Sequence, residues 1–351
     1  MSLFGRSAKS VIGVDIGASS VKVVALTQHK EQPVLDGFAL VSLPSKAFID
    51  GNISQPDVIA EAIQRALKIS GIKTKEAIAA VSASDVITKE IQISDAFFGL
   101  ELEEQVRIEA DQFIPYPLDE VALDFEIIGP APTNPAFNRI NIVACRRDDV
   151  DAIEDVLTLA GLKPEVVDVD TYVMERIVNR VSATDESSVA IVDLGAASLS
   201  LSVIKNGNLQ YHREQAFGGH DLIHQLQLHI DQSEQDIDQM LRDGSIAAEL
   251  LTSVVEPFAS TIAQQVSRAL QFYYSSGSQD HIGKILLTGG LSGVSALVQK
   301  VADTTGTESQ LADPFAFISL GASINGEQLA TLKPSLTKSL GLAFRGLEAK
   351  Q

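Results

Sequence analysis

Two stretches of the chain share a pattern that strongly limits what it can fold into. Residues 11–24 read VIGVDIGASSVKVV and residues 189–202 read VAIVDLGAASLSLS. Each combines a β-branched run, an Asp-x-Gly turn with small residues, and a second strand-like run, which is the pattern of a β-hairpin. The two aspartates, Asp15 and Asp193, stand 178 positions apart. The repeat predicts two related domains that face each other across a cleft, and such a cleft suits a polyphosphate.

The composition favours a multidomain globular protein and excludes several classes. With 351 residues, 45% of them hydrophobic, the chain is too long for one compact core and suits two domains or four subdomains. A net charge of −19 without any run of Lys or Arg argues against a nucleic-acid partner or an anionic membrane surface, since both would repel it. We expect no direct membrane insertion, because neither a long apolar stretch nor a signal peptide is recognisable.

The chain contains a single cysteine, Cys145. One cysteine excludes an internal disulfide and fits a reducing compartment. Because Cys145 ends a strand-like run, we expect a buried and inert thiol rather than a nucleophile. The expected location is therefore the cytoplasm.

Apolar periodicity predicts the order of elements and from it a domain division. Strands are expected within residues 11–43, a helix over 57–70 that stops at Gly71, and an acidic helix near 100–112. We place strand-like runs at 77–81, 88–93, 121–128 and 139–145, the last two separated by a Pro-rich loop at 129–135. The predicted units are a first domain (1–73 and 146–182), an inserted subdomain (74–145), a second domain (183–221 and 281–332), a mostly helical subdomain (222–280) and a C-terminal segment returning to the first domain (333–351).

The two hairpin turns are candidate phosphate-binding loops. Small residues in a tight turn let backbone N–H groups form a concave nest for phosphate oxygens. An aspartate at the end of the first strand suits Mg²⁺ held through water. Asp-x-Gly can also form a plain β-turn, but its repetition favours a ligand site. The candidates are Asp15, Gly17, Ala18, Ser19, Ser20 and Lys22 in one hairpin, and Asp193, Gly195, Ala196, Ala197 and Ser198 in the other.

Two glycine pairs extend the predicted site. Gly289 and Gly290 join a strand-like run to a helix start, where the backbone can lie flat against a nucleoside. Gly218 and Gly219 open another helix, whose N-terminal N–H groups are expected to point at an anionic oxygen.

These four elements occur in the order found in the actin, Hsp70 and sugar kinase superfamily. Within it, the chain resembles the PilM family of type IV pilus assembly proteins, close to the cell-division FtsA branch. The resemblance covers essentially the full length. It rests on AGLKPEVVDVD at 160–170, DPFA at 313–316 and SLGLAFR at 339–345.

The resemblance implies an actin-like α/β fold of two domains and four subdomains, with ATP or ADP and Mg²⁺ in the cleft and an FtsA-type inserted subdomain 1C. It implies that Asp15 and Asp193 orient Mg²⁺ through water and that Gly341 of the C-terminal segment belongs to the cleft. Asp170 stands where hydrolytic relatives use Glu or Gln to position the attacking water. Its shorter side chain predicts weak hydrolysis at most.

The resemblance also implies partners. The first is the cytoplasmic N-terminal peptide of the membrane protein PilN, and other pilus inner-membrane or motor proteins and self-association are further expectations. The leading hypothesis is therefore a nucleotide-binding adaptor of pilus assembly. The alternatives are a small-molecule kinase or ATPase on the same fold, and a filament-forming division or cytoskeletal protein.

Two other patterns have more ordinary interpretations. His220 and His224 have a spacing that can hold a metal, but no third ligand with a suitable spacing is evident. The acidic helix near 100–112 can be a solvated face, although its place in the inserted subdomain equally favours a partner site.

Overall fold

The computed structural model describes residues 10–29, 32–49, 51–182, 188–277, 280–294 and 296–348. It contains two mixed β-sheets, of six and five strands, and a separate three-stranded sheet. Parts of the expected domains, at residues 1–9, 183–187 and 349–351, lie outside the described residues.

The first sheet begins with an antiparallel meander, which confirms the strands expected within residues 11–43. The helix expected at 57–70 is also confirmed, and it ends where Gly71 adopts a left-handed conformation with φ of 69°. The elements up to this point run β1 (Ser10–Ile16), β2 (Ser20–His29), β3 (Gln32–Ser42), β4 (Phe48–Ile49), β5 (Asn52–Ile53), α1 (Pro56–Ser70) and β6 (Glu76–Val81).

An insertion with its own small core follows. Its elements are β7 (Val86–Ser94), α2 (Leu100–Ala110), β8 (Val121–Ala131) and β9 (Asn134–Arg146). The strands pair antiparallel in the order β7-β9-β8. Leu102 and Val106 of α2 pack with Ile140 and Ile142 of β9, because helical spacing places both leucine and valine on one face.

The structure corrects two expectations about this region. Strand β6, predicted as part of the insertion at 74–145, pairs parallel with β1 and belongs to the first sheet. The insertion therefore starts after Val81. The predicted Pro-rich loop at 129–135 is largely strand, since β8 and β9 continue their pairing to Ala131 and Asn134. The β8–β9 ladder accommodates the prolines in two ways. Gly129 adopts a φ of 138°, and the pairing register shifts there.

The chain then completes the first sheet with α3 (Arg147–Leu159), β10 (Lys163–Val169) and α4 (Asp170–Val181). Strand β10 pairs parallel with β6. The meander, the two parallel strands and the helices between them give the strand order β10-β6-β1-β2-β3, to which one more short strand is added later.

The second sheet repeats this arrangement. Its strand order, β13-β12-β11-β14-β15, has an antiparallel meander followed by parallel strands, as in the first sheet. The remaining elements are β11 (Ser188–Leu194), β12 (Leu199–Lys205), β13 (Asn208–Gln215), α5 (Gly219–Gln227), α6 (Glu234–Asp243), α7 (Ala248–Leu250), α8 (Glu256–Ser275), β14 (Ile282–Thr288), α9 (Leu297–Thr305), β15 (Ser309–Leu311), β16 (Ser319–Leu320), α10 (Gly326–Leu332) and α11 (Thr337–Glu348).

The end of the chain returns to the first sheet earlier than expected. Strand β16, predicted within the second domain, pairs parallel with β3 of the first sheet. Helix α11 then crosses α4 and lies on β1 so closely that a Cβ on Gly13 would stand 1.9 Å from the carbonyl oxygen of Ser339. Both helices contribute to a core that contains side chains of both sheets, among them Val11 of β1 and Ile191 of β11.

Among the described residues, no single helix is long and apolar enough to cross a bilayer. One pair, Glu234–Asp243 with Ala248–Ser275, passes by length and composition alone, but it bends by 89° at its break.

Candidate functional site

The two repeated hairpin turns meet at one cleft. They have the same closing hydrogen bond: the Gly17 N–H donates to the Ser20 carbonyl (3.1 Å) and the Gly195 N–H to the Ser198 carbonyl (2.9 Å). The cleft consists of two cavities of about 590 and 400 Å³. Both cavities are lined by Asp15, Gly17, Ala18, Ala197, Ser198, Ile223 and Lys338. The sequence repeat therefore brings two equivalent turns face to face.

Asp15 and Lys22 form an ion pair on the first hairpin. They are cross-strand partners in the β1–β2 ladder, and the Lys22 Nζ lies 3.1 Å from the Asp15 Oδ2. Both side chains are largely buried, at 13% and 14% exposure. A Cβ on Gly17 would stand only 2.7 Å from the Lys22 Nζ. The glycine thus leaves room for the lysine over the turn.

Lys338, from the first turn of α11, links the two halves of the cleft. Its Nζ lies 3.2 Å from the Asp193 Oδ2 at the end of β11 and 3.5 Å from the Asp170 Oδ2 at the start of α4. The other oxygen of Asp170 accepts a hydrogen bond from the Ala83 N–H (3.0 Å). Both oxygens of the predicted water-positioning carboxylate therefore have partners.

The charge of Lys338 depends on the surrounding carboxylates. Burial, the largest influence, disfavours its charged form, but Asp193, Asp170 and Asp15 together outweigh burial and raise the pKa of Lys338 well above its ordinary value. Lys338 is therefore a permanent cation at neutral pH. Lys338 lies in the C-terminal segment expected to return to the first domain, but it is not among the predicted site residues, because its proximity to Asp193 arises only when α11 docks on the first sheet.

The smaller cavity contains the predicted pair Gly289 and Gly290. Gly289, with φ of 88°, closes it beside β11, where a Cβ would stand 2.5 Å from the Leu194 carbonyl oxygen and 2.7 Å from the Asp193 Oδ1. Gly289 and Gly290 both line the cavity. Apolar side chains line it as well, namely Leu40, Leu241, Leu291 and Val294. The close neighbours of Gly289 are thus Leu194 and Asp193, and the predicted contact with a nucleoside stays a prediction.

Asp238 and Arg242 of α6 also line the smaller cavity and were missed from the sequence. They form an ion pair, and the Arg242 Nη2 also donates to the Ser42 hydroxyl on β3 (3.1 Å). Burial raises the pKa of Asp238. The positive charges of Arg242, Lys22 and His220 lower it, but by less than burial raises it. Their i, i+4 spacing was visible, but the sequence does not show which way that helix faces.

The predicted role of the Gly218–Gly219 helix start is wrong in one respect. Its N–H groups are not directed at a ligand, because the Gly219 N–H donates to the Gly195 carbonyl and the His220 N–H to the Ala196 carbonyl. The Gly218 N–H donates to the Asp221 carboxylate. Gly219 lines the smaller cavity, whereas this glycine pair mainly braces the second phosphate turn.

Gly341 also lies elsewhere than the sequence suggested. A Cβ on Gly341 would stand 2.6 Å from the Val173 Cγ1 and 3.1 Å from the Ile177 Cγ1. It thus lies at the crossing of α11 and α4, and it lines neither cavity of the cleft. Its small size serves helix packing, which the composition of the C-terminal segment does not distinguish from ligand contact.

The larger cavity extends beyond the phosphate turns into an acidic chamber. Asp85, Glu214 and Glu234 line it together with His220 and His224. Burial raises the pKa of Asp85, and the charges of Asp149, Glu214 and Asp170 raise it further. Across the described parts of the chain, no group of three or more His, Cys, Asp and Glu side chains is arranged to hold a metal ion directly.

Cys145 lies outside the cleft on β9 and is half-buried. Burial, with the nearby charges of Asp149 and Asp85, raises the pKa of its thiol to about 11. Since the thiolate is the reactive form, this environment is that of an inert thiol.

Comparison with known proteins places this geometry in a family. A family model described as type IV pilus assembly protein PilM matches residues 13–347. The solved structure of a PilM–PilN type IV pilus biogenesis complex is 25% identical, with a TM-score of 0.80 over 97% of this chain and 99% of that one. The ethanolamine utilization protein EutJ from Carboxydothermus hydrogenoformans is 15% identical, with a TM-score of 0.59 over 96% and 90% of the two chains.

The two structural likenesses confirm the actin-like two-domain α/β fold expected from the sequence. The family match extends through both sheets, the insertion and α11. The chain belongs to the PilM family of type IV pilus assembly proteins.

Proposed function

We propose that the chain is an ATP-binding adaptor of type IV pilus assembly that docks the N-terminal cytoplasmic peptide of PilN. One observation carries the nucleotide site: two turns related by an internal repeat face one cleft, with Lys22 and Lys338 between them. Paired turns and two cations suit a polyphosphate better than any neutral ligand. The nucleoside would bind in the smaller cavity, which is lined by Gly289, Gly290 and several apolar side chains.

The carboxylates of the cleft fit a magnesium ion bound with the nucleotide. Mg²⁺ prefers few carboxylates, and it keeps several waters while it contacts substrate phosphates. Asp15 and Asp193 both border the smaller cavity, one from each half of the chain. They would hold the ion through water, and the ion would neutralise phosphate charge there.

The surroundings of Asp170 support weak hydrolysis rather than fast turnover. A carboxylate that positions an attacking water needs an accessible oxygen. One oxygen of Asp170 accepts from the Ala83 N–H and the other faces Lys338. In the proposed adaptor, bound nucleotide therefore serves mainly to set the angle between the two halves.

The insertion supplies a candidate surface for the PilN peptide. Seven exposed large hydrophobic side chains lie on it, namely Phe97, Phe98, Leu100, Ile108, Tyr116, Ile127 and Ile128. Leu100 and Ile108, at 77% and 59% exposure, share one face of α2 with Glu104. We define Phe97, Phe98, Leu100 and Ile108 as the α2 patch. Exposed apolar patches rimmed by charge mark protein interaction sites.

The solved PilM–PilN complex, a structural relative, supports PilN as the occupant. Binding to PilN would hold a cytoplasmic adaptor at the inner face of the inner membrane through its partner. Other pilus proteins and self-association stay expectations.

Equilibrium binding of labelled ATP tests the nucleotide site. With Mg²⁺, we expect the wild-type chain to retain ATP in stoichiometric amount and to release little phosphate. Asp15→Asn should weaken binding at least about tenfold, because it breaks the ion pair that holds Lys22 over the first turn. Asp57→Asn, on the exposed face of α1, is the matched control and should bind as the wild type does. Absence of retained ATP, or sustained turnover, contradicts the adaptor.

The acidic chamber favours one second candidate, a small-molecule kinase. Its cavity of about 590 Å³ adjoins the phosphate turns and contains Asp85. A kinase needs a carboxylate that accepts the proton of the substrate hydroxyl. With γ-labelled ATP and a pool of small metabolites, a kinase would transfer label to an organic product, whereas the adaptor leaves it on ATP.

A further inference from the structure

Lys338 stands between a segment bound to β14 of the second sheet and helix α11, which lies on β1 of the first sheet. Just before it, the Pro334 carbonyl accepts hydrogen bonds from the Gly289 N–H (3.0 Å) and the Thr288 hydroxyl (3.1 Å), which fixes this segment to β14. Just after it, α11 lies on β1 at Gly13. The backbone of Lys338 is therefore held from both sides, and only its side chain can exchange partners.

Without Lys338, three carboxylates at the cleft would face the single positive charge of Lys22. Asp15, Asp170 and Asp193 converge on the cleft, and Lys22 pairs with Asp15. Within the described ranges, Lys338 is the cation that pairs with the other two, because its Nζ lies within 3.5 Å of both carboxylates. Their side chains are only 16–17% exposed, so water screens their repulsion poorly. Lys338 thus bridges carboxylates of the two halves with its single positive charge.

We propose that Lys338 is a built-in cation that substitutes for Mg²⁺ in this cleft and makes nucleotide binding largely independent of the ion. The proposal rests on the nucleotide site proposed above. With Lys22 and Lys338 in place, the phosphate groups meet two fixed ammonium groups before any ion arrives. Added Mg²⁺ should increase the affinity for nucleotide only slightly, because it must compete with the Lys338 ammonium for Asp193.

A lysine with a purely structural role would behave differently. It would hold the halves together by its ion pairs, and its loss would weaken nucleotide binding equally with and without Mg²⁺. The proposed role predicts instead a change in the ratio of the two affinities. That ratio is therefore the decisive quantity.

Equilibrium dialysis of labelled ADP against the full chain, in Mg²⁺ and in EDTA, measures the ratio. For the wild type we expect the dissociation constants in the two buffers to differ by less than about tenfold. Lys338→Met should raise the ratio at least about tenfold further, because the unpaired carboxylates repel the phosphates until Mg²⁺ neutralises them. Lys338→Arg keeps the charge and is the matched control, with an expected wild-type ratio.

The outcomes separate this inference from the proposed function. A wild-type chain that binds ADP in neither buffer overturns both. A wild-type ratio above about tenfold, or an unchanged ratio in Lys338→Met, overturns the inference and leaves the nucleotide site standing. If Lys338→Met does not fold, Lys338→Gln, which also removes the charge, replaces it with the same expected rise in the ratio.

Discussion

At the scale of single residues, Gly289 shows how closely the backbone defines the cleft. Its φ of 88° lies in the left-handed region, which a side chain disfavours. A Cβ there would stand 2.5 Å from a main-chain oxygen of Leu194 and 2.7 Å from the carboxylate of Asp193. Neither neighbour can move freely, because both belong to the end of β11 and its phosphate turn.

Gly289→Ala should therefore both destabilise the chain and weaken nucleotide binding. Left-handed strain and overpacking together predict a loss of about 2–4 kcal/mol in the free energy of unfolding. Urea denaturation measures it. Gly326→Ala is the control, since nothing lies within 4 Å of its added Cβ and φ is not positive. A Gly289→Ala variant as stable as this control would show that the close approach is relaxed in solution.

Residue-level prediction worked where a motif is local. The candidates of each hairpin are close in the sequence, within residues 15–22 in the first and 193–198 in the second. The sequence alone was therefore enough to propose the members of each turn as neighbours. Lys338, Asp238 and Arg242 line the same cleft, but the packing of α11 and α6 places them there. Composition at those positions has no distinguishing feature. A local pattern cannot report a contact between residues that are distant in the sequence.

At the scale of elements, the crossing of α4 and α11 controls how the two halves meet. Both helices contribute to the core that contains side chains of the two sheets. Ion pairs support the crossing, because Arg176 and Arg180 of α4 both bind Glu348 at the end of α11. Gly341 allows the helices to approach closely.

Gly341→Ala should loosen this crossing without touching the ligand. A Cβ at 2.6 Å from the Val173 Cγ1 predicts a loss of about 1–3 kcal/mol in stability through overpacking. Affinity for ATP, measured per folded molecule, should change by less than about threefold. Lost affinity at unchanged stability would instead favour the nucleotide contact expected from the sequence.

The sequence predicts whether an element is a helix or a strand, but it does not always predict which sheet or domain contains that element. The run at 77–81 was recognised as a strand, yet β6 pairs within the first sheet rather than the insertion. Its short apolar run is consistent with a buried strand and says nothing about which neighbour accepts its hydrogen bonds. Strand β16 is only two residues long, too short for any periodicity to indicate it. The other domain boundaries stay predictions.

At the scale of the whole molecule, the repeated sheet order explains why the chain has a cleft. Each half places its hairpin turn at the same end of its sheet, so packing the halves around α4 and α11 brings the turns together. Contacts across the cleft, such as Arg242 with Ser42 and Lys338 with Asp193, then depend on the angle between the halves. A ligand bridging both turns would bias that angle.

Because a nucleotide would bias the angle between the halves, we expect its binding in the cleft to be coupled to peptide binding on the insertion. Isothermal titration of a synthetic PilN N-terminal peptide into the full chain, with and without saturating Mg²⁺-ATP, tests it most directly. The account predicts affinities that differ by at least about fivefold. Leu100→Glu on the α2 patch should weaken peptide binding in both states, and the exposed Asp57→Asn should not. Equal wild-type affinities in the two states would contradict the claim.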